Sequence, residues 1–472
     1  MRLSYTAPSL QRGLRATATP LPGIRNLSIS SSPLPSWASS PNGASPMRRR
    51  HNGSSVARTT ASQWTLLPLP GARTYSSSIE EPLGKTALYD LHLAHGGKMV
   101  PFGGFHMPVQ YSALSVSASH AFTRTHASLF DVSHMVQRTF RGPGAVAFLQ
   151  RVTPANLEAL AENTSTLSTL LHPTTGGIVD DTVITKLSPD EFYVVTNAAC
   201  RAKDDAYLAE QLATFDGPAV EHTKADESGL IALQGPLSAE ILTSVLGVDV
   251  SKLYFGTCIR AKVQLPKSVS TSVLISRGGY TGEDGFEISI PTAEDTVAVT
   301  ETLLASAGPE KLQLAGLGAR DSLRLEAGMC LYGHDLDDST TPVEGGLSWI
   351  IPKDRRKADA GFHGAEVIAK QLVPKTKGGL GVERRRVGFV VEGAPAREGA
   401  EIMSKDGEKI GKITSGCPSP TLGKNIAMGY VKDGFHKSGT ELDVVVRGRN
   451  RKATVTKMPF VPTKYWKGTA PA

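Results

Sequence analysis

The chain has 472 residues, 40% hydrophobic and 20% charged, more than one core organises, so two to three domains are expected at the usual ~100–200 residues each. No uninterrupted apolar run approaches the ~20 residues needed to cross a bilayer, so no membrane partner is expected. Nine arginines and no Asp, Glu or Lys precede Glu80, and they exceed the whole formal charge of +7; the rest is near neutral (7 − 9 = −2), which excludes a broad basic face for nucleic acid.

Residues 1–75 are rich in Ser, Pro, Ala and Arg and contain no acid, the composition of a transit peptide. Arg73-Thr74-Tyr75-Ser76 reads as a protease site with arginine shortly before the cut. The expectation is a leader removed on entry to the mitochondrial matrix, the alternative an unaddressed tail. Cys200, Cys258, Cys330 and Cys417 lack CxxC spacing, so neither a disulfide framework nor a zinc site is expected.

Thr86 is placed to cap a helix from Ala87 to His95, which Gly96-Gly97 stops. His92 and His95, without a third ligand, read as packing or surface residues rather than a metal site. The run from Phe102 to Pro108 reads as an irregular aromatic loop, and a helical stretch through Ser119 to His126 follows. Asp131-Val132-Ser133-His134-Met135 leads into a strand from Val136 to Phe140, then a helix from Gly144 to Arg151.

In Gly176-Gly177-Ile178-Val179-Asp180-Asp181-Thr182-Val183-Ile184 two glycines permit a tight reversal with positive φ, and the β-branched run behind them reads as a strand. It pairs through Ser188-Pro189-Asp190 with Glu191 to Thr196, where Asn197 ends the second strand. Side chains alternate faces along a strand, so Asp180 and Asp181 cannot both look into one cavity. They make a poor acid/base dyad. One of them at the mouth of an apolar strand can steady a developing cation; the other reading leaves both in water at a hairpin rim.

Helices near Ala202 to Phe215 and Ser238 to Leu246 mix with short strands such as Leu230 to Gln234, without regular βαβ units, which indicates α+β architecture. A strand from Phe286 to Ile290 places Glu287 and Ser289 on one face and the apolar residues on the other, so Glu287 points into solvent or a polar pocket. Arg320 and Arg324 stand one helical turn apart with Asp321 between them, which alone reads as a surface ion pair. Past Arg384 five short strands with turns read as a small barrel or sandwich.

Taken together, the runs Arg277 to Ile288, Ala315 to Glu326, Asp131 to Met135, Gly176 to Asp181, Leu331-Tyr332-Gly333 and Thr414 to Pro420 resemble the T-protein family of the glycine cleavage system, tetrahydrofolate-dependent aminomethyltransferases. The likeness runs from about Thr86 to Trp466. It implies an α+β, multidomain cloverleaf with two α/β folate-binding domains and a C-terminal β-barrel around a central cavity. Here that gives a transit peptide over 1–75, a folate-binding region of two interleaved α+β domains over 76–380 and a barrel over 381–472.

By the same resemblance the catalytic residue is Asp181, the second acid of its pair. Glu287 grips the pterin edge, whose amino group and ring N–H are donors that one carboxylate accepts together. Arg320, Asn197, Tyr280 and Met135 match positions around folate or substrate, and Tyr465 matches a contact from the chain end. The substrates implied are tetrahydrofolate, not a tightly bound cofactor, and an aminomethyl group on the lipoyl arm of the H-protein. Other glycine cleavage subunits are further partners, ammonia is released, and no metal is required. Two alternatives share the fold. A folate-binding iron–sulfur maturation factor carries a cysteine motif, and Arg277 to Gly285 has no cysteine. A folate-dependent demethylase needs a flavin domain, and Gly316-Leu317-Gly318 lacks the third glycine of a dinucleotide fingerprint.

Overall fold

The computed structural model describes residues 82–265 and 269–468; the expected leader lies outside the described residues. The first helix is Tyr89–Ala94, and no side chain caps it. Thr86 instead donates its hydroxyl to Asp131 Oδ2 at 2.7 Å, because a buried carboxylate left without donors costs more than a missing cap. His92 is fully buried and bridges Asp131 Oδ2 and the Tyr111 hydroxyl, each at 2.9 Å, which is the packing role expected of it.

The aromatic run after this helix is not an irregular loop. Gly97–Phe102 and Phe105–Tyr111 pair antiparallel about Gly103 and Gly104, whose φ values are +55° and +83°. Two successive positive φ angles match the twist of flanking strands and close a two-residue hairpin.

Two larger sheets follow. The first has five strands in the order Thr164–Leu171, Ile178–Ser188, Glu191–Thr196, Val136–Arg141, Glu221–Lys224. Phe140, Ile184, Phe192 and Val194 on one face pack against Phe148, Leu149 and Leu208 of the helices Ala145–Val152 and Arg201–Ala213. The second has six strands: Cys258–Gln264, Ser270–Arg277, Gly285–Ile290, Gly229–Gln234, Ala127–Asp131 and Leu312–Leu314. Ile231, Leu233, Phe286 and Ile288 pack against Ile241, Leu242, Val299 and Leu303 of the helices Ser238–Leu246 and Ala293–Ala307. Each sheet thus covers one face with helices. Period-two alternation leaves its other face free to line a common space.

The C-terminal part is a closed barrel of the strands Arg384–Val391, Lys424–Lys432, Lys409–Ser419, Glu401–Met403, Glu441–Val446 and Arg449–Thr456. Five of these carry the segments read from sequence; Glu401–Met403 is too short to show a pattern. The barrel meets the helix Leu317–Glu326 through Leu325, Cys417, Ile426 and Met428. The four cysteines are free thiols, and among the described residues no helix is long and apolar enough to cross a membrane.

Candidate active site

The hairpin that carries the two aspartates begins at Gly176, whose φ is +67°. Gly177 is needed for space rather than for φ, since a Cβ there would lie 1.9 Å from the Asp338 carbonyl oxygen. Asp180 is fully buried with Thr182 and Ile184, whereas Asp181 shares its face with partly exposed Val183. The register that pairs Thr182 with Thr196 brings Asn197 opposite Asp181. Asn197 Nδ2 donates to Asp180 Oδ1 at 2.8 Å and to Asp181 Oδ1 at 3.0 Å, while its backbone N–H donates to Asp180 Oδ2 at 2.8 Å. The acids take opposite faces as alternation requires, yet one amide at the strand end holds both. Burial pushes the Asp181 carboxyl up to about 7, with the Asp180 charge adding to the rise; burial raises Asp180 as well.

Facing this hairpin across a narrow cavity is Glu287. Val183 and Val195 from the five-stranded sheet and Leu230 and Leu274 from the six-stranded sheet form the apolar walls, and Glu287 with Ser276 supplies polarity. Asp181 belongs to the same strand face as Val183. Glu287 thus lines the cavity itself, and Asp181 lies two residues before Val183 on the strand that forms the opposite wall. Burial raises the Glu287 pKa, and the nearby Arg320 charge is what opposes the rise. No hydrogen bond to this carboxylate is found among the described residues, so both of its oxygens can accept from a ligand.

Arg320 and Tyr280 bridge the two acids electrostatically. The Arg320 guanidinium lies 4.8 Å from the Tyr280 ring centroid, its Nη1 is buried without an acceptor, and Glu287 and Tyr280 are the groups that favour its charge. The Tyr280 hydroxyl donates to the Cys330 carbonyl; burial and then the Arg324, Asp181 and Arg320 charges act on its pKa, which burial raises. Met135 packs with Val195 and Leu230 and so backs the cavity wall. Tyr465 stacks on Phe255 with ring centroids 4.3 Å apart and points its hydroxyl at Met329 Sδ. It therefore sits beside the Met329-Cys330 segment rather than against Glu287.

Three features went unread in the sequence. Arg324 does bond Asp321 Oδ1 at 2.9 Å, but it is buried, and its other nitrogens reach Asp335 Oδ2 at 2.7 Å and Ser415 Oγ at 2.9 Å, so a surface ion pair is the wrong description. Tyr193 lines the cavity, and its hydroxyl donates to Gln137 Oε1 at 2.8 Å alongside Ser289 Oγ at 2.6 Å. Counting by twos from Val195 identifies it. Asp204 lies close to Asp180 and Cys200, and no sequence spacing announces that contact.

Glu287, beside apolar walls and with both oxygens free, can accept from two donors on one edge of a ligand. Residues 88–355 match the GCVT N-terminal domain family and residues 384–462 the glycine cleavage T-protein C-terminal barrel domain family. The chain is 49% identical over 396 residues to a probable mitochondrial aminomethyltransferase of Schizosaccharomyces pombe, covering 84% of this chain and 97% of that one. It is 48% identical over 390 residues to the mitochondrial aminomethyltransferase of Pisum sativum, covering 82% and 92%. The crystal structure of a glycine cleavage system aminomethyltransferase T from Bartonella henselae has a TM-score of 0.73 and 36% identity, covering 82% of this chain and 100% of that one. These relatives are aminomethyltransferases, and none is an iron–sulfur maturation factor.

Proposed function

Because the chain belongs to the glycine cleavage T-protein family and is an aminomethyltransferase, we propose that it moves the methylene of an aminomethyl group, held on sulfur by a lipoylated H-protein, to tetrahydrofolate. Relatives named mitochondrial support a mitochondrial location, and we place the enzyme in the matrix, working with the other glycine cleavage subunits after loss of residues 1–75. What supports the reading is Glu287, which lines an apolar-walled cavity without an internal donor, together with Asp181 on the strand of the facing wall, held by Asn197.

Glu287 accepts from the pterin amino group and ring N–H, two charge-assisted hydrogen bonds that fix the ring in one orientation. Arg320 over Tyr280 holds the wall beside it, Met135 backs that wall, and Tyr465 stands beside the Met329-Cys330 segment that anchors Tyr280. A folate nitrogen then attacks the methylene. Its C–N bond to the amine breaks and ammonia leaves; a second folate nitrogen displaces sulfur, and the two N–H hydrogens end on ammonia and the freed thiol. An iminium-like cation develops on the carbon between these events. Asp181, oriented by Asn197 at 3.0 Å, stabilises that charge and directs the attacking nitrogen. Tetrahydrofolate is thus a substrate, with nothing held tightly between turnovers. The test is ammonia release from aminomethyl-loaded carrier with and without tetrahydrofolate. Strict folate dependence is expected; equal release in both would exclude the reading.

A further inference from the structure

Behind the Asp180 face of the hairpin lies a polar cluster that the transfer reaction does not touch. Asp204, on the helix Arg201–Ala213, is fully buried, and neither of its carboxylate oxygens meets a hydrogen-bond donor. One oxygen of Asp204, one of Asp180 and the Cys200 sulfur lie within 4.8 Å of one another. Besides these, Arg138 and Thr196 of the adjacent strands face Asp204. Arg138, itself fully buried, directs Nη1 to Asp205 at 2.6 Å and Nε to Thr196 at 3.2 Å, and its Nη2 is without an acceptor. No cation closes on Asp204 as an ion pair among the described residues.

A buried carboxylate with no donor is unstable as an anion and takes up a proton. Burial raises Asp180 too, but Asp180 accepts from both the side chain and the backbone of Asn197, and these hydrogen bonds favour its charged form where Asp204 has none. The two acids therefore divide into one neutral and one charged group. Burial and the Asp180 charge push Asp204 up to about 9, which agrees with that division.

We propose that Asp204 is a positioning residue: as the neutral acid it donates to Asp180, which anchors Asn197, whose amide in turn fixes Asp181. This rests on Asp181 as the residue that faces the transferred carbon. The device explains why two adjacent acids with opposite orientations both serve one site. The outward one acts on the reaction, and the inward one holds the amide that aims it. A metal in the same cluster is a poorer fit, since burial pushes the Cys200 thiol up and keeps it protonated, and the Asp180 oxygens are already engaged by Asn197.

The experiment compares Asp204→Ala with Asp204→Asn in the full enzyme, reading kcat with aminomethyl-loaded carrier, tetrahydrofolate Kd by calorimetry and the infrared carbonyl band of protonated acids at about pH 8. Asp204→Ala lowers kcat by about 10- to 100-fold with folate affinity unchanged, as expected of a misaimed group. Asp204→Asn, which keeps a neutral donor, restores most of that loss, and one carbonyl band of the wild-type protein disappears. The proposal is overturned by wild-type turnover in Asp204→Ala, by an equal loss in Asp204→Asn, by folate affinity falling together with kcat, by identical infrared spectra, or by a stoichiometric metal in the purified protein. Should Asp204→Ala not fold, the infrared comparison with Asp204→Asn decides alone. Failure of the Asp181 reading shows separately, as wild-type turnover in Asp181→Asn.

Discussion

Replacing Asp181 by Asn separates charge from shape. The new side-chain oxygen still accepts from Asn197 Nδ2, which stands 3.0 Å from Asp181 Oδ1, so the hairpin keeps its geometry and loses one negative charge. At about 4 Å and an effective dielectric constant near 20, a carboxylate stabilises a full positive charge by roughly 4 kcal/mol. A transition state bearing half that charge loses roughly 2–3 kcal/mol, which is on the order of 10²-fold in turnover. Stability moves the other way. The folded pKa is raised from 3.8 to about 7, so the native state binds more protons than the unfolded chain between those values, and stability falls as pH rises through that window. Asn removes this penalty, which at ~1.36 kcal/mol per pKa unit is capped near ~4 kcal/mol. The variant is therefore more stable than wild type at about pH 8, and the difference closes below about pH 4. Ammonia release, folate calorimetry and urea unfolding measure the three quantities. Unchanged turnover refutes the catalytic role, and parallel loss of turnover and stability refutes the reasoning from charge.

Glu287→Ala removes both pterin acceptors; folate affinity measured by calorimetry falls by at least ~10²-fold, taking each charge-assisted hydrogen bond at about 1.5–3 kcal/mol, and an unchanged Kd contradicts the assignment. The pH–rate profile has an acid limb near about 7, where Asp181 ionises, with turnover falling as pH drops; Asp181→Asn lacks the limb, and a wild-type profile flat across that range speaks against it. Buried Glu326 accepts from Arg124 at 2.7 Å and from Ser419 and Thr421 at 2.5 and 2.7 Å, so Glu326→Ala leaves these donors short of an acceptor, with Arg124 keeping Glu283, and destabilises by about 2–4 kcal/mol in urea unfolding; a cost under about 1 kcal/mol shows that the network is dispensable.

Period-two alternation made the faces of both key strands readable: Glu287 and Ser289 opposite Phe286 and Ile288, and Asp180 opposite Asp181. What alternation cannot contain is a partner that arrives from elsewhere. Asn197 read locally as a turn residue, and its amide reaches both acids only because the antiparallel register sets it across from them. Thr86 read as a cap, and a carboxylate 45 residues away claims it instead. Arg324 displays its i−3 partner in the sequence, but Asp335 and Ser415 come from the loop and the barrel. Gly103-Gly104 did carry a local signal, that of a hairpin turn, which the surrounding aromatics obscured.

A crystal structure with tetrahydrofolate bound tests the account most directly. The pterin amino group and ring N–H should each lie about 3 Å from Glu287 oxygens, with the folate nitrogens directed toward Asp181. A pterin seated elsewhere, or one whose nitrogens face away from Asp181 while Glu287 stays unengaged, would contradict it.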